Sequence, residues 1–294
     1  MNIITLSIIT LAVIGAIAAL ILYAIAQRFK VEEDPRIDQV ESLLPGANCG
    51  GCGKAGCRNF AESCVKATSL EGMLCPVGGN AVMKQIAVIL GMEAVEAAPR
   101  VAVVRCNGSC DNRPRTNIYE GASSCAIAHT LYAGNTGCAY GCLGCGDCVS
   151  VCSLGAITID PKTQLPVVDI DKCGGCGACA RACPRNIIEV RKKGVKGRGV
   201  YVACMNKEKG GVARKVCNTA CIGCSKCAKE CSFDAITISN NLSYIDSDKC
   251  KMCRKCVDVC PTGAILAVNF PPKKVTTPAA TEPATTPTPE ESNK

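Results

Sequence analysis

Large aromatic side chains are nearly missing from this chain of 294 residues: it has no Trp, 4 Phe and 6 Tyr. That length allows two or three small domains, but so few aromatics cannot fill their cores in the usual way. The same scarcity removes the stacking platforms that single-stranded nucleic acid needs. There is 1 His, His129. It reads as an ordinary surface or loop residue, and no His-based acid–base site can be built around it. No dinucleotide fingerprint opens from a strand, and Gly51-Cys52-Gly53-Lys54 imitates a phosphate loop without completing G-x4-G-K-S/T. No Lys or Arg precedes the first apolar run, and no convincing cleavage site follows it, so a secretory signal peptide does not fit.

Cysteine is present in excess, at 27 residues. The spacing C-x2-C-x2-C-x3-C, the run that ligates cubane iron–sulfur clusters in bacterial ferredoxins, occurs four times. The runs are Cys142, Cys145, Cys148, Cys152; Cys173, Cys176, Cys179, Cys183; Cys221, Cys224, Cys227, Cys231; and Cys250, Cys253, Cys256, Cys260. Two are followed by Pro (Pro184, Pro261) and two by Ser (Ser153, Ser232). A disulfide scaffold would need a secreted context, and paired C-x2-C motifs also serve zinc. The regular third and fourth Cys fit a four-iron four-sulfur (4Fe-4S) cluster better than either. Many Cys–Fe bonds would supply the cohesion that the missing aromatics do not. In two-cluster ferredoxins the fourth Cys of each run ligates the other cluster. That rule groups Cys142, Cys145, Cys148 with Cys183; Cys173, Cys176, Cys179 with Cys152; Cys221, Cys224, Cys227 with Cys260; and Cys250, Cys253, Cys256 with Cys231.

Two further sets lie upstream. Cys49, Cys52, Cys57 and Cys75 form C-x2-C-x4-C-x17-C among glycines that let backbone N–H groups approach a cluster. Cys64, on an expected helix from Arg58 to Lys66, reads as a spare buried thiol. Cys106, Cys110, Cys125 and Cys138 make a set of irregular spacing. The strand-like Val101–Val104 leads to Cys106, and Cys138 lies four residues before Cys142; likewise Gly199–Ala203 leads to Cys204, and Cys217 lies four residues before Cys221. The section 99–190 is thus repeated in 191–269. The second copy lacks counterparts of Cys110 and Cys125, and its two thiols, too few for a cubane, read as a remnant. Six 4Fe-4S clusters are expected, or five if the irregular set is empty, with Cys64, Cys204 and Cys217 unused. Short strands after the runs, at Ala156–Ile159, Val167–Ile170, Asn186–Val190, Ala235–Ile238 and Ala264–Val268, are the β-arms of ferredoxin halves, with short helices carrying the third and fourth Cys of each run.

Ile3 to Ala26 is uncharged and long enough to span a bilayer as a helix. Arg28 and Lys30 follow it, which places the C-terminal bulk in the cytoplasm and the N-terminus outside. A reducing cytoplasm suits thiols that must meet iron. The formal charge of +8 is offset by clusters carrying about −2 each, so nucleic acid is not the expected partner. Arg191, Lys192, Lys193, Lys196, Arg198, Lys207, Lys209, Arg214 and Lys215 are either a solvated loop or a docking face for an acidic protein. The Pro/Thr/Ala-rich 270–294 cannot bury a core and is expected to be disordered. The expected architecture is α+β: transmembrane helix (1–27), a small four-Cys iron–sulfur domain (28–98), and two tandem two-cluster ferredoxin units (99–190 and 191–269). No complete substrate-converting site is present.

One membrane helix, then the Cys49–Cys75 set, then ferredoxin pairs resembles the B subunit of Rnf ion-translocating electron transport complexes, in the longer form found in anaerobes. The resemblance spans nearly the whole chain apart from the tail. It implies an inner-membrane protein that accepts electrons from reduced ferredoxin and passes them within a ferredoxin:NAD oxidoreductase that moves Na+ or H+, the NAD site lying on another subunit. The first Cys motif alone also resembles a domain of corrinoid iron–sulfur proteins, which the membrane helix disfavours. A polyferredoxin component of a membrane hydrogenase is the rival reading, and a zinc interaction module a third.

Overall fold

The computed structural model describes residues 3–28, 34–94, 96–118, 120–131 and 134–271. The expected disordered tail therefore falls almost wholly outside the described residues, as does the linker at 29–33. Helix α1 (Ile3–Arg28) contains a 20-residue apolar stretch, Leu6–Ile25, none of which is buried. Leu11, Leu20 and Leu22 stand about 70 % exposed, which water would penalise and a bilayer core would not. At 1.5 Å per residue the helix is roughly 39 Å long, more than the ~30 Å hydrocarbon thickness.

Three helices follow. In α2 (Pro35–Leu43), Pro35 occupies the first turn and the Asp34 carboxylate accepts from Arg36 N at 2.9 Å. Helix α3 (Cys57–Lys66) and α4 (Gly79–Leu90) complete the bundle. Their apolar stripes meet in one core of Ile37, Val40, Phe60, Ala61, Cys64, Leu70, Met83 and Ile86. Phe60 and Leu70, each 1 % exposed, contribute about 2–3 kcal/mol apiece by burial.

The remainder is two copies of one topology. Strand β1 (Arg100–Val104) pairs antiparallel with β4 (Ile188–Lys192), placing Val104 opposite Ile188, and enclosed between them is the hairpin β2 (Ile157–Ile159)–β3 (Pro166–Val168). Strand β5 (Gly199–Val202) pairs with β8 (Ile265–Val268), enclosing β6 (Ile236–Ser239)–β7 (Leu242–Ile245). Helices α5 (Cys125–Leu131) and α6 (Asp147–Ser150), then α7 (Ala178–Ala182), belong to the first copy. Helices α8 (Gly210–Val216), α9 (Lys226–Lys229) and α10 (Lys255–Asp258) belong to the second. Strand β7 is additional to the strands expected from sequence. Asn240 and Asn241 adopt φ of 48° and 57°, the left-handed pair of a tight hairpin turn, directly before it.

Valine, isoleucine, alanine and cysteine fill these cores, and Tyr201 and Tyr244 sit where the two copies meet. Val101 and Val103 of β1 pack against Tyr201 and Ala203 of the second copy. Tyr244 on β7 lies between the Arg105 and Arg191 guanidiniums, each 5.0 Å from its ring centroid, and donates its hydroxyl to Glu189 at 2.8 Å. The basic run is accordingly divided. Arg191 is buried, Lys192 pairs with Asp248 at 2.7 Å, and Lys193 donates to Ile170 O at 2.7 Å, whereas Lys196, Lys207, Lys209, Arg214 and Lys215 are exposed.

Candidate metal centres

Cys49, Cys52, Cys57 and Cys75 line one pocket together with Phe60, Pro76 and Val77. Asn48, at φ 44°, accepts from Cys57 N on Oδ1 at 2.8 Å and so starts α3 where Gly56 offers no capping side chain. Gly78 N donates to Cys75 Sγ at 3.3 Å. Cys64 does not line the pocket; it is fully buried in the helical core, and burial pushes its thiol up to about 11, the Cys52 and Cys75 charges adding to this.

Each ferredoxin-type run begins as a loop and turns into a one-turn helix at its third Cys. The residue before that helix is left-handed in all four cases: Gly146 (φ 90°), Gly177 (φ 75°), Ser225 (φ 61°) and Arg254 (φ 67°). The fourth Cys lies beyond the helix and not on it, a correction to the expectation that both Cys share it. Cys152, for example, follows the end of α6, with its N–H bonded to Val149 O at 3.1 Å. Ending the helix there lets the fourth thiol reach across to the other run. Cys221, Cys224, Cys227 and Cys260 thus line one pocket, and Cys142, Cys148 and Cys183 another. Burial raises the Cys256 thiol to about 12, with Cys250, Cys253, Cys227 and Cys231 as its charged neighbours. Burial raises Cys179 to about 11, with Cys173, Cys176 and Cys152 beside it. Gly175, at φ 69°, brings the backbone so close to Arg100 O that a Cβ would lie 2.5 Å from it.

The irregular set is not assembled by the fold. Cys110 is exposed, its Sγ 3.8 Å from Thr163 O. Cys125 opens α5, where the Asp147 carboxylate accepts from Cys125 N at 2.8 Å and from Ala126 N at 3.0 Å. There it borders the pocket of Cys142, Cys148 and Cys183. Cys106 and Cys138 instead share a pocket with Cys204 and Cys217. The cause is the packing of β1 on β5: Cys106 and Cys204 follow these strands, and Asn107 N donates to Ala203 O at 2.9 Å. Cys110 and Cys125 lie on an excursion present only in the first copy. The equal spacing of Cys138 to Cys142 and of Cys217 to Cys221 is the sequence signal for the association.

The donor chemistry fits cubane clusters. The thiols line common pockets, four Cys in each of three of them. Backbone N–H groups point at sulfur, from Ala156 to Cys152 at 3.3 Å and from Met252 to Cys250 at 3.4 Å, and donors so placed tune the potential of such clusters. His129 is exposed near the end of α5.

Residues 141–187 and 220–264 each match the family described as "4Fe-4S dicluster domain", and 44–76 match that described as "Putative Fe-S cluster". The chain is 44 % identical over 255 residues, 87 % of its length and 75 % of the relative's, to the B subunit of the Na(+)-translocating ferredoxin:NAD(+) oxidoreductase complex of Acetobacterium woodii. It is 42 % identical, over 91 % of its length and 94 % of the relative's, to the B subunit of the proton-translocating ferredoxin:NAD(+) oxidoreductase complex of Clostridium ljungdahlii. It is 40 % identical, over 88 % and 96 %, to the B subunit of the ion-translocating oxidoreductase complex of Methanosarcina acetivorans. Together with the thiol pockets and the apolar helix, these relationships establish that the chain belongs to the family of B subunits of ion-translocating ferredoxin:NAD(+) oxidoreductase (Rnf) complexes.

Proposed function

We propose that this chain takes electrons from reduced ferredoxin and relays them within an Rnf-type complex that couples ferredoxin oxidation and NAD reduction to Na+ or H+ movement. The observation that carries this reading is the succession of thiol sets along the chain. The Cys49–Cys75 set touches the first ferredoxin unit through Cys49 and Cys176, whose thiols lie within hydrogen-bonding reach. Within that unit Cys179 lies near Cys148, and in the second unit Cys227 lies near Cys256. When bound, 4Fe-4S clusters supply one-electron redox chemistry at these positions. The chain's own part is to hold the thiols, bury them and aim N–H donors at their sulfurs. The NAD site is assigned, by likeness to the family, to another subunit. Relatives named for Na+ and for protons match it about equally, as expected if the ion path also lies elsewhere.

The domain division follows the thiol sets: helix 1–27, a four-Cys domain at 28–98, and two-cluster ferredoxin units at 99–190 and 191–269. Ligation pairs the first three Cys of each run with the fourth of its neighbour, and Cys49, Cys52, Cys57 and Cys75 hold the first cluster. Helix α1 tethers the chain to the inner membrane beside the other subunits, N-terminus outside and thiol domains in the cytoplasm. The exposed Lys207, Lys209, Arg214 and Lys215 form the face for acidic ferredoxin. Reconstituting the full chain with iron and sulfide and mixing it with reduced ferredoxin tests the reading; bleaching of its visible absorption supports it, and a chain that stays oxidised refutes it.

A further inference from the structure

The four thiols that the duplicated lead-ins bring together are the strongest feature outside the sets already assigned. Cys106 and Cys138 come from the first copy, Cys204 and Cys217 from the second, and each pair occupies the same place in its repeat. All four line a single pocket with Asn107, Arg113, Asn206 and Thr219. Cys138, Cys204 and Cys217 are buried. The two copies are stitched together around them: Asn218 N donates to Asn112 O at 2.8 Å, and Thr219 Oγ1 to Asn107 O at 3.0 Å.

Two observations point to an anionic occupant. Arg113 is 7 % exposed, and although its Nη2 donates to Cys142 O at 2.7 Å, its Nε and Nη1 have no acceptor. A buried guanidinium left without counter-charge is costly. Asn206, 1 % exposed, directs Nδ2 toward Cys138 Sγ at 3.7 Å and its backbone N–H toward Cys204 Sγ at 3.4 Å. Donors from the second copy thus reach sulfurs of both copies.

We propose that Cys106, Cys138, Cys204 and Cys217 ligate a sixth 4Fe-4S cluster shared between the two ferredoxin units, with Arg113 supplying its counter-charge. Two thiols from each copy make the count that neither copy reaches alone. The placement also closes the one gap in the relay. Cys106 is a charged neighbour of Cys142 on one side and of Cys204 on the other, and Cys204 in turn neighbours Cys221. The thiol sets of the first unit therefore connect to those of the second through this site. Cys110 and Cys125 then have no ligand role.

The proposal rests on the iron–sulfur reading of the chain, and one experiment separates the two. The full-length protein, reconstituted anaerobically, is assayed for iron and acid-labile sulfide per chain alongside the double variants Cys204→Ser/Cys217→Ser and Cys110→Ser/Cys125→Ser. About 24 irons are expected in the parent, about 20 in the first variant and about 24 in the second. A parent without iron overturns the reading of the whole chain. An iron-replete parent whose first variant keeps its full iron, or whose second variant loses about four, overturns the shared site alone. Should the first variant lose all its clusters through misfolding, the second still decides.

Discussion

Arg181 ties the four-Cys domain to the first ferredoxin unit by donating from Nη2 to Cys49 O at 2.9 Å and from Nη1 to Cys176 O at 3.2 Å. Gly51 lies under the same contact: a Cβ there would come within 2.8 Å of both Cys176 Cα and Pro76 Cγ. Gly51→Val is expected to force the domains apart at a cost of about 1–3 kcal/mol, and Arg181→Ala, at an exposed position, to cost about 1 kcal/mol. Hydrogen exchange should rise at 49–53 and 174–177 in both, with iron content unchanged. Unaltered exchange in Gly51→Val would contradict the junction.

Ser225 holds at φ 61° a conformation that its counterparts Gly146 and Gly177 adopt without strain. Ser225→Gly is therefore expected to stabilise the chain by about 1 kcal/mol, read as a raised thermal midpoint of the reconstituted protein. A lowered midpoint would mean that the Ser225 side chain contributes more than the backbone strain costs.

These two sites mark how far the sequence could be read. The C-x2-C-x2-C-x3-C spacing and the flanking Val/Ile stretches predicted nearly every strand, because ligand spacing and β-propensity are local properties. Helix α4 ends where Gly91, left-handed at φ 65°, caps it. The grouping of Cys106 and Cys138 with Cys204 and Cys217 could not be read within one repeat. It depends on β1 packing against β5, a contact between residues about a hundred positions apart. Proximity along the chain suggested Cys110 and Cys125 instead, and the excursion carries both away. Similarly, charge alone suggested a continuous basic run, while Arg191 and Lys193 turn inward to Glu189 and Ile170.

That division gives a prediction for docking. Charge reversal at Lys207, Lys209, Arg214 and Lys215 should slow ferredoxin association at least tenfold at low salt and flatten its salt dependence. Reversal at Lys66 and Lys84, which pair locally with Glu62 and Glu96, should not. Stopped-flow association rates across a salt series distinguish the two. Equal effects from both sets of changes would remove the docking face.

Cys64 offers a pH test. Its thiol is pushed by burial from an ordinary value of 9.0 up to about 11. A raised pKa in the folded state stabilises the fold below pH 9, and that contribution is lost as pH rises toward 11, because the unfolded chain releases its proton first. Cys64→Ala should keep all the iron and lose about 1–2 kcal/mol at neutral pH. The deficit should shrink between pH 9 and 11 in denaturant titrations. A deficit independent of pH would show that Cys64 acts by packing alone.

The central claim is that this chain is the ferredoxin-facing electron relay of its complex. The most direct measurement is rapid mixing of substoichiometric reduced ferredoxin with the reconstituted full-length protein, followed by visible absorption and freeze-quench paramagnetic resonance. The account predicts bleaching with reduced-cluster signals appearing in the chain as those of ferredoxin disappear, at a rate that falls with salt. A protein that holds its full iron yet stays oxidised while ferredoxin stays reduced would contradict it.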